Sequence, residues 1–428
     1  MNQSSIKFRN ICCVGVFLML AAVSCQRDPI SPDGNQPPAD TTGISGYVAG
    51  IWAKGTTYKV TGHLEIPEGQ SLTIEPGVKV IMSDSIIQPE FIVKGNLYCL
   101  GTASDPISIT VPQSWQTSYH EYGNLWGGFV AANTSQDIVM LHVNMGYGGA
   151  ATTEESPSVK EGLYKAVGGE HLPALYYPNV KGTLIVMNCT FSHFYDDAVY
   201  VDGGRTIIAH NSLDAIGGPS DDGINLKSGV IADLAFNFIY SPYTSGLKFS
   251  NDGGRSPQLY VVCYNNTIVN GGWRRPTIKG GSVWLEDGAH ADLYNNLLIN
   301  DRFGIKRDKG NPEDSRSKFY NTFYYGYDQQ TVDNFQPSDE IIKGVNDIIG
   351  DKAGANDPQL VNYPLSTDRY NSLLDPSWDF HLRSGSPALG SGMTDFNRNF
   401  ADGIPVNCVT YTSPDPENYV GAFGLEDH

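Results

Sequence analysis

From Thr183 onward, short apolar runs recur, each meeting an asparagine. They are TLIVMNCTF from Thr183, TIIAHNSL from Thr206, IADLAFNFI from Ile231, LYVVCYNNTI from Leu259, ADLYNNLLI from Ala291 and KFYNTFYY from Lys318. Aligned on Asn188, Asn211, Asn237, Asn265, Asn295 and Asn321, the runs are spaced by 23, 26, 28, 30 and 26 residues. β-Branched and aromatic runs with no helical period between them predict strands. The interval fits one turn of a β-solenoid better than the longer repeat of a propeller blade.

A second run follows in each repeat: DDAVYVDGG from Asp196, DDGINLKSG from Asp221, SGLKFSNDGG from Ser245, GGSVWLEDG from Gly280 and FGIKRDKG from Phe303. Strict alternation predicts Val199, Ile224, Leu247, Val283 and Ile305 as a stacked core. Tyr200, Asn225, Lys248, Trp284 and Lys306 then form a stacked surface row. Gly and Asp at the flanks suit the sharp bends between short strands. The predicted fold is all-β, a single-stranded right-handed parallel β-helix with capping segments. The recurrent asparagines predict an internal amide ladder, because side chains on successive turns lie about 4.8 Å apart.

Upstream, TGHLEIPEGQSLTIEPGVKVIM, FIVKGNLYCLGTASDPISIT and NLWGGF at Asn124 follow one another in order. The series resembles the opening turns of secreted right-handed parallel β-helix proteins, the pectate-lyase-like and polygalacturonase-like group. DPQLV at Asp357, WDFHLRSGSPALGSGM at Trp378 and VGAFG at Val420 resemble that group's closing segment. Both ends of a solenoid expose strand edges and core, so these atypical ends are expected to be caps. The pattern lapses from Met145 to Pro178 and from Asp328 to Asn356, which predicts loops on the side of the solenoid.

The first 24 residues carry Lys7 and Arg9, then the apolar run Ile11 to Val23, too short to span a membrane and shaped as a secretory signal. Leu20-Ala21-Ala22-Val23-Ser24-Cys25 resembles the bacterial lipobox, with its aliphatic residue at Leu20 and Ala22 where that motif has Leu. The resemblance implies lipidation at Cys25 and an outer-membrane, surface-exposed lipoprotein. The Pro-, Asp- and Gly-rich stretch that follows reads as a tether. The expected organisation is a signal over 1–24, a tether over 25–43, the β-helix over 44–330, and C-terminal rungs with a capping segment over 331–428.

Removing a leader with two of the 28 cations and none of the 46 acids takes the formal charge from −18 to −20. That acidity argues against nucleic acid and against anionic headgroups as partners. Cys189 and Cys263 fall inside apolar runs and are expected as buried thiols, and neither they nor Cys99 and Cys408 show metal-ligand spacing. The nine histidines form no H-x-x-H pattern, and no nucleophile elbow is present.

Asp221 to Gly229 is similar to the polygalacturonase phrase that carries two catalytic carboxylates, which would fall on Asp221 and Asp222. That family's G-H-G, one turn later, is replaced by Thr244-Ser245-Gly246-Leu247, so a plain acidic turn remains the other reading. A lyase needs a cation to neutralise a uronate carboxylate and a Lys or Arg to take the adjacent proton. From Lys227 to Lys309 the chain has ten cations against seven acids, in contrast to its overall charge. Lys227, Lys248 and Asp222 are thus candidate catalytic residues. Trp273, Arg274, Arg275, Trp284 and Lys306 are candidates for sugar and carboxylate binding. Asp196-Asp197 and Asp221-Asp222 should lie on adjacent turns, where four carboxylates repel unless a cation such as Ca²⁺ joins them.

The expected function is a monomeric, lipid-anchored envelope protein engaging polysaccharide along residues 182–310, with a uronate lyase as the enzymatic form. The rival is a non-catalytic glycan-binding, adhesive or structural surface protein.

Overall fold

In the computed structural model, residues 42–218, 221–275 and 279–425 are described. The leader, Cys25 and the tether up to residue 41 lie outside the described residues. Strand pairing begins at Thr42, whose Cα partner is Lys59, so the last two tether positions already belong to the sheet.

The described chain winds as a parallel β-solenoid with three flanks. The first flank is a ten-stranded parallel sheet running from Gly50–Trp52 through Thr183–Met187 and Val230–Ala235 to Lys318–Tyr320. The second stacks Thr190–Phe194, Ser212–Ile216, Phe238–Tyr240, Thr267–Val269, Leu297–Ile299 and Phe323–Tyr325. The third stacks Leu175–Tyr177, Val199–Val201, Ile224–Leu226, Ser245–Ser250, Gly281–Glu286 and Ile305–Arg307. Near the start, the long strand Thr57–Ile66 pairs with both Lys79–Met82 and Phe91–Val93 and so joins the second and third flanks. Val199, Ile224, Leu247, Val283 and Ile305 stack in one continuous apolar core, as the alternation predicts. Cys99, Cys189 and Cys263 are free and buried there.

The asparagine repeat resolves into two adjacent positions. At the corner between the first and second flanks, Asn188, His210, Phe236, Asn265, Asn295 and Asn321 all take left-handed backbone, with φ between 51° and 57°. The ladder sits one residue later. Asn211 Nδ2 donates to Asn237 Oδ1 at 2.9 Å, Asn237 to Asn266 at 2.9 Å, and Asn266 to Asn296 at 3.0 Å. The expected ladder holds at Asn211 and Asn237 but passes through Asn266 and Asn296, not Asn265 and Asn295. Cys189, not the exposed Asn188, occupies the ladder place on the earlier turn, its N–H donating to Asn211 Oδ1. The left-handed asparagines face outward on the last turns and hold the C-terminal segment: Asn265 donates to Tyr419 O, Asn295 to Met393 O and Asn321 to Ser391 O.

The last turn is covered by the helix Gln329–Phe335, capped by Asp328, with Phe335 packed 5.3 Å from Tyr324. The C-terminal segment first extends the stack by a partial rung, with Val345 paired in parallel to Tyr320 and Ile348 to Phe323, and then folds back over two flanks. Leu360–Asn362 and Asp379–Leu382 pair antiparallel against the second flank, where Phe380 meets Phe238. The hairpin Ile404–Val406 with Val409–Tyr411 lies on the first flank with Val139, Ile185 and Ile207. Its anchor is Asp233, a buried carboxylate accepting from the N–H groups of Asn399 and Phe400 and from Ser413 Oγ.

Candidate functional site

The third flank carries a polar row. Tyr176, Tyr200, Asn225, Lys248, Trp284 and Lys306 are successive Cα partners, one per turn. They point out of the coil as alternation requires. The expected solvent-facing surface is corrected, however, because Asn225 is 4% exposed, Trp284 2% and Lys306 5%. Looped segments cover the two ends of the row. Tyr164, from the insertion after Met145, packs tilted on Tyr176 and edge-on to Tyr200 at 5.1 and 5.3 Å, and Lys306 pairs with Glu340 of the C-terminal cap at 3.1 Å.

At the start of these strands, Asp196, Asp197 and Asp221 present carboxylate oxygens that all lie within 4.8 Å of one another, and all three side chains are buried. The bends that precede each short strand put them there. Asp222 N–H donates to Asp197 Oδ1 at 2.5 Å, Asn225 Nδ2 to Asp197 Oδ2 at 3.0 Å, and Ser245 N–H to Asp222 Oδ1 at 2.9 Å. Each contact crosses one turn. Burial first, then repulsion from Asp221 and Asp197, raises Asp196 well above the usual carboxylate range. Burial and the charges of Asp222 and Asp221 push Asp197 up to about 8. Burial also raises Asp222, against the opposing pull of Lys248. Hard carboxylate oxygens clustered at this spacing suit Ca²⁺ or Mg²⁺. Tyr164 Oη and Asn225 Oδ1 are buried beside them with no hydrogen-bond partner.

Beside the acids stand two lysines shifted in opposite directions. Lys227 is lowered by burial and by its neighbour Lys248, and its ammonium lies 5.9 Å from the Tyr200 ring. For Lys248, burial is outweighed by Asp222 and Glu286, so its value rises. Glu286 pairs with Lys248 at 3.4 Å and accepts from Lys279 Nζ and Trp284 Nε1 at 2.8 and 2.7 Å. Burial works against its charge, but Lys248 and Lys279 prevail and hold it at about 2.

The expected binding residues divide. Arg275 donates to Thr244 Oγ1 and lies close enough to lower Asp222. Trp284 and Lys306 belong to the row. Trp273 and Arg274 serve packing instead: Trp273 is 7% exposed, donates to Asn300 O at 2.6 Å and lies under Arg369. Arg274 donates to the carbonyls of Ile216, Gly217 and Ser241. Glu286 was missed, though it is legible, since it shares the alternation phase of Trp284. Tyr164 left no signal because the insertion has no period.

No family model, curated protein or solved structure matched this chain.

Proposed function

We propose that the third flank engages an acidic polysaccharide and cleaves it by β-elimination. The observation that carries this reading is the pair Lys227 and Lys248 beside the Asp196, Asp197 and Asp221 cluster, one lysine shifted toward neutrality and the other toward its charged form. Neighbouring groups with values pushed apart suit the roles of base and acid. Lys227 takes the proton from C5 of a uronate residue, the electron pair forms the C4–C5 double bond, and the C4–O bond breaks. The leaving oxygen takes a proton from Lys248, whose ammonium is held by Glu286 and Asp222. A divalent cation on the three aspartates would neutralise the uronate carboxylate and so acidify that C5 proton.

The test is the appearance of unsaturated product over a panel of polyuronates, with and without chelator. Lys227→Ala should lower the rate about 100-fold or more. No product from any polyuronate would sink the cleavage reading.

A second reading draws on the burial of Trp284 and Lys306 and on the Tyr164 cover. It makes the flank a non-catalytic glycan-binding or adhesive surface, in which retained polyuronate binding without product is the outcome. For either reading we place the protein in the envelope as a lipoprotein, on the support of the leader and Cys25. Labelled fatty acid should be incorporated by the native chain and not by Cys25→Ala.

A further inference from the structure

On the first flank, far along the chain from the acidic cluster, the returning C-terminal segment leaves a cavity of about 240 Å³ against the solenoid. Its walls are Tyr260, Tyr294 and Tyr320 from three successive turns, closed on one side by Phe396 of the returning segment. Phe396 stacks face to face on Tyr294 at 4.0 Å and 6°. Tyr260 and Tyr320 stay part-exposed at the rim.

The floor is polar and built. Asp292, 2% exposed, is one of the lining residues, with His290 Nε2 3.5 Å from its Oδ1. Tyr260 Oη reaches it at 3.2 Å, Lys318 Nζ at 3.3 Å and the Lys318 N–H at 3.1 Å. Burial and the adjacent Asp292 raise the Tyr260 hydroxyl to about 12, so it stays a proton donor at neutral pH. The part-exposed rings of Tyr260 and Tyr320, with Asp292 and Asp395 in the same lining, match a sugar ring, whose C–H face packs on aromatic carbon while its hydroxyls donate to carboxylate oxygen. The volume lies below the roughly 300–1,000 Å³ of pockets for larger ligands, which limits the occupant to about one ring. Charge narrows it further. Asp292 and Asp395 face the single cation Lys318, so the lining disfavours an anionic sugar.

We propose that this cavity is a binding subsite for one neutral pyranose unit, separate from the acidic-glycan site on the third flank. Two sites of opposite charge preference on one rigid solenoid would let the protein hold a mixed polymer, or two different glycans, at once.

The experiment is calorimetric titration of the full chain with neutral mono- and disaccharides to about 20 mM, galacturonate and glucuronate being included at equal concentration. At least one neutral sugar should bind, more tightly than either uronate. Asn397→Trp on the exposed arm should fill the mouth and weaken binding about tenfold or more, with thermal stability and polyuronate turnover unchanged. Asp292→Asn should weaken it as well. No neutral sugar binding, preference for the uronates, or binding undiminished in Asn397→Trp would each overturn the proposal.

Discussion

Asn225 donates its side-chain amide to Oδ2 of Asp197 at 3.0 Å across one turn of the solenoid, while its own carbonyl oxygen is buried without a partner. The amide holds a carboxylate whose value stands at about 8, and the cation we propose on this cluster would take that oxygen as a further ligand.

Stability should therefore depend on pH in an unusual direction. Asp197 keeps its proton in the folded state up to about 8, while the unfolded chain releases it near the ordinary 3.8. Between these values the folded state binds more protons, so stability falls as pH rises through that window. Melting temperature measured in chelator should drop from pH 5 to pH 8, and millimolar Ca²⁺ should restore it at pH 8 but add little at pH 5. Identical melting in chelator and Ca²⁺ at pH 8 would remove the cation site.

Tyr164 buries a hydroxyl with no partner beside the same acids. An unsatisfied buried hydroxyl costs about 1–3 kcal/mol. In chelator, Tyr164→Phe should raise the melting temperature; in Ca²⁺ it should weaken metal affinity. A variant less stable in chelator would mean that the hydroxyl is already satisfied.

The amide ladder should be the more costly of the two asparagine positions to disturb. Asn237 donates to Ile208 O and Asn266 Oδ1 and accepts from Asn211. Asn237→Ala strands several buried polar groups and should cost about 3 kcal/mol in denaturant unfolding. Asn188→Ala, exposed and left-handed, should cost about 1 kcal/mol. Equal costs would show that the ladder contributes little.

Asp233 ties the returning segment to the first flank. Asp233→Ala leaves the N–H groups of Asn399 and Phe400 without their acceptor and should loosen the segment around residues 396–413. Hydrogen exchange should accelerate there while the solenoid strands keep their protection. Uniform protection across both would contradict this.

The repeat was legible because solenoid turns impose the same demand on every copy: an apolar inward residue, a polar outward one and a bend. Val199, Ile224 and Leu247 could thus be placed without coordinates. The asparagine register slipped by one residue because NN pairs at 265–266 and 295–296 offer two choices, and only the backbone shows which asparagine is left-handed. Glu286 was within reach of the same alternation, one step beyond Trp284.

Sequence by itself determined the winding, the stacked core and the meeting of the two Asp pairs on neighbouring turns, because these follow from local periodicity repeated at one interval. Tertiary structure alone decided what covers the outward row. Tyr164 and Glu340, which touch that row, come from segments without a period, and where such segments settle depends on contacts with residues far away in the chain. Trp273 is likewise packed by Arg369, almost a hundred residues away in the chain, a contact no spacing encodes.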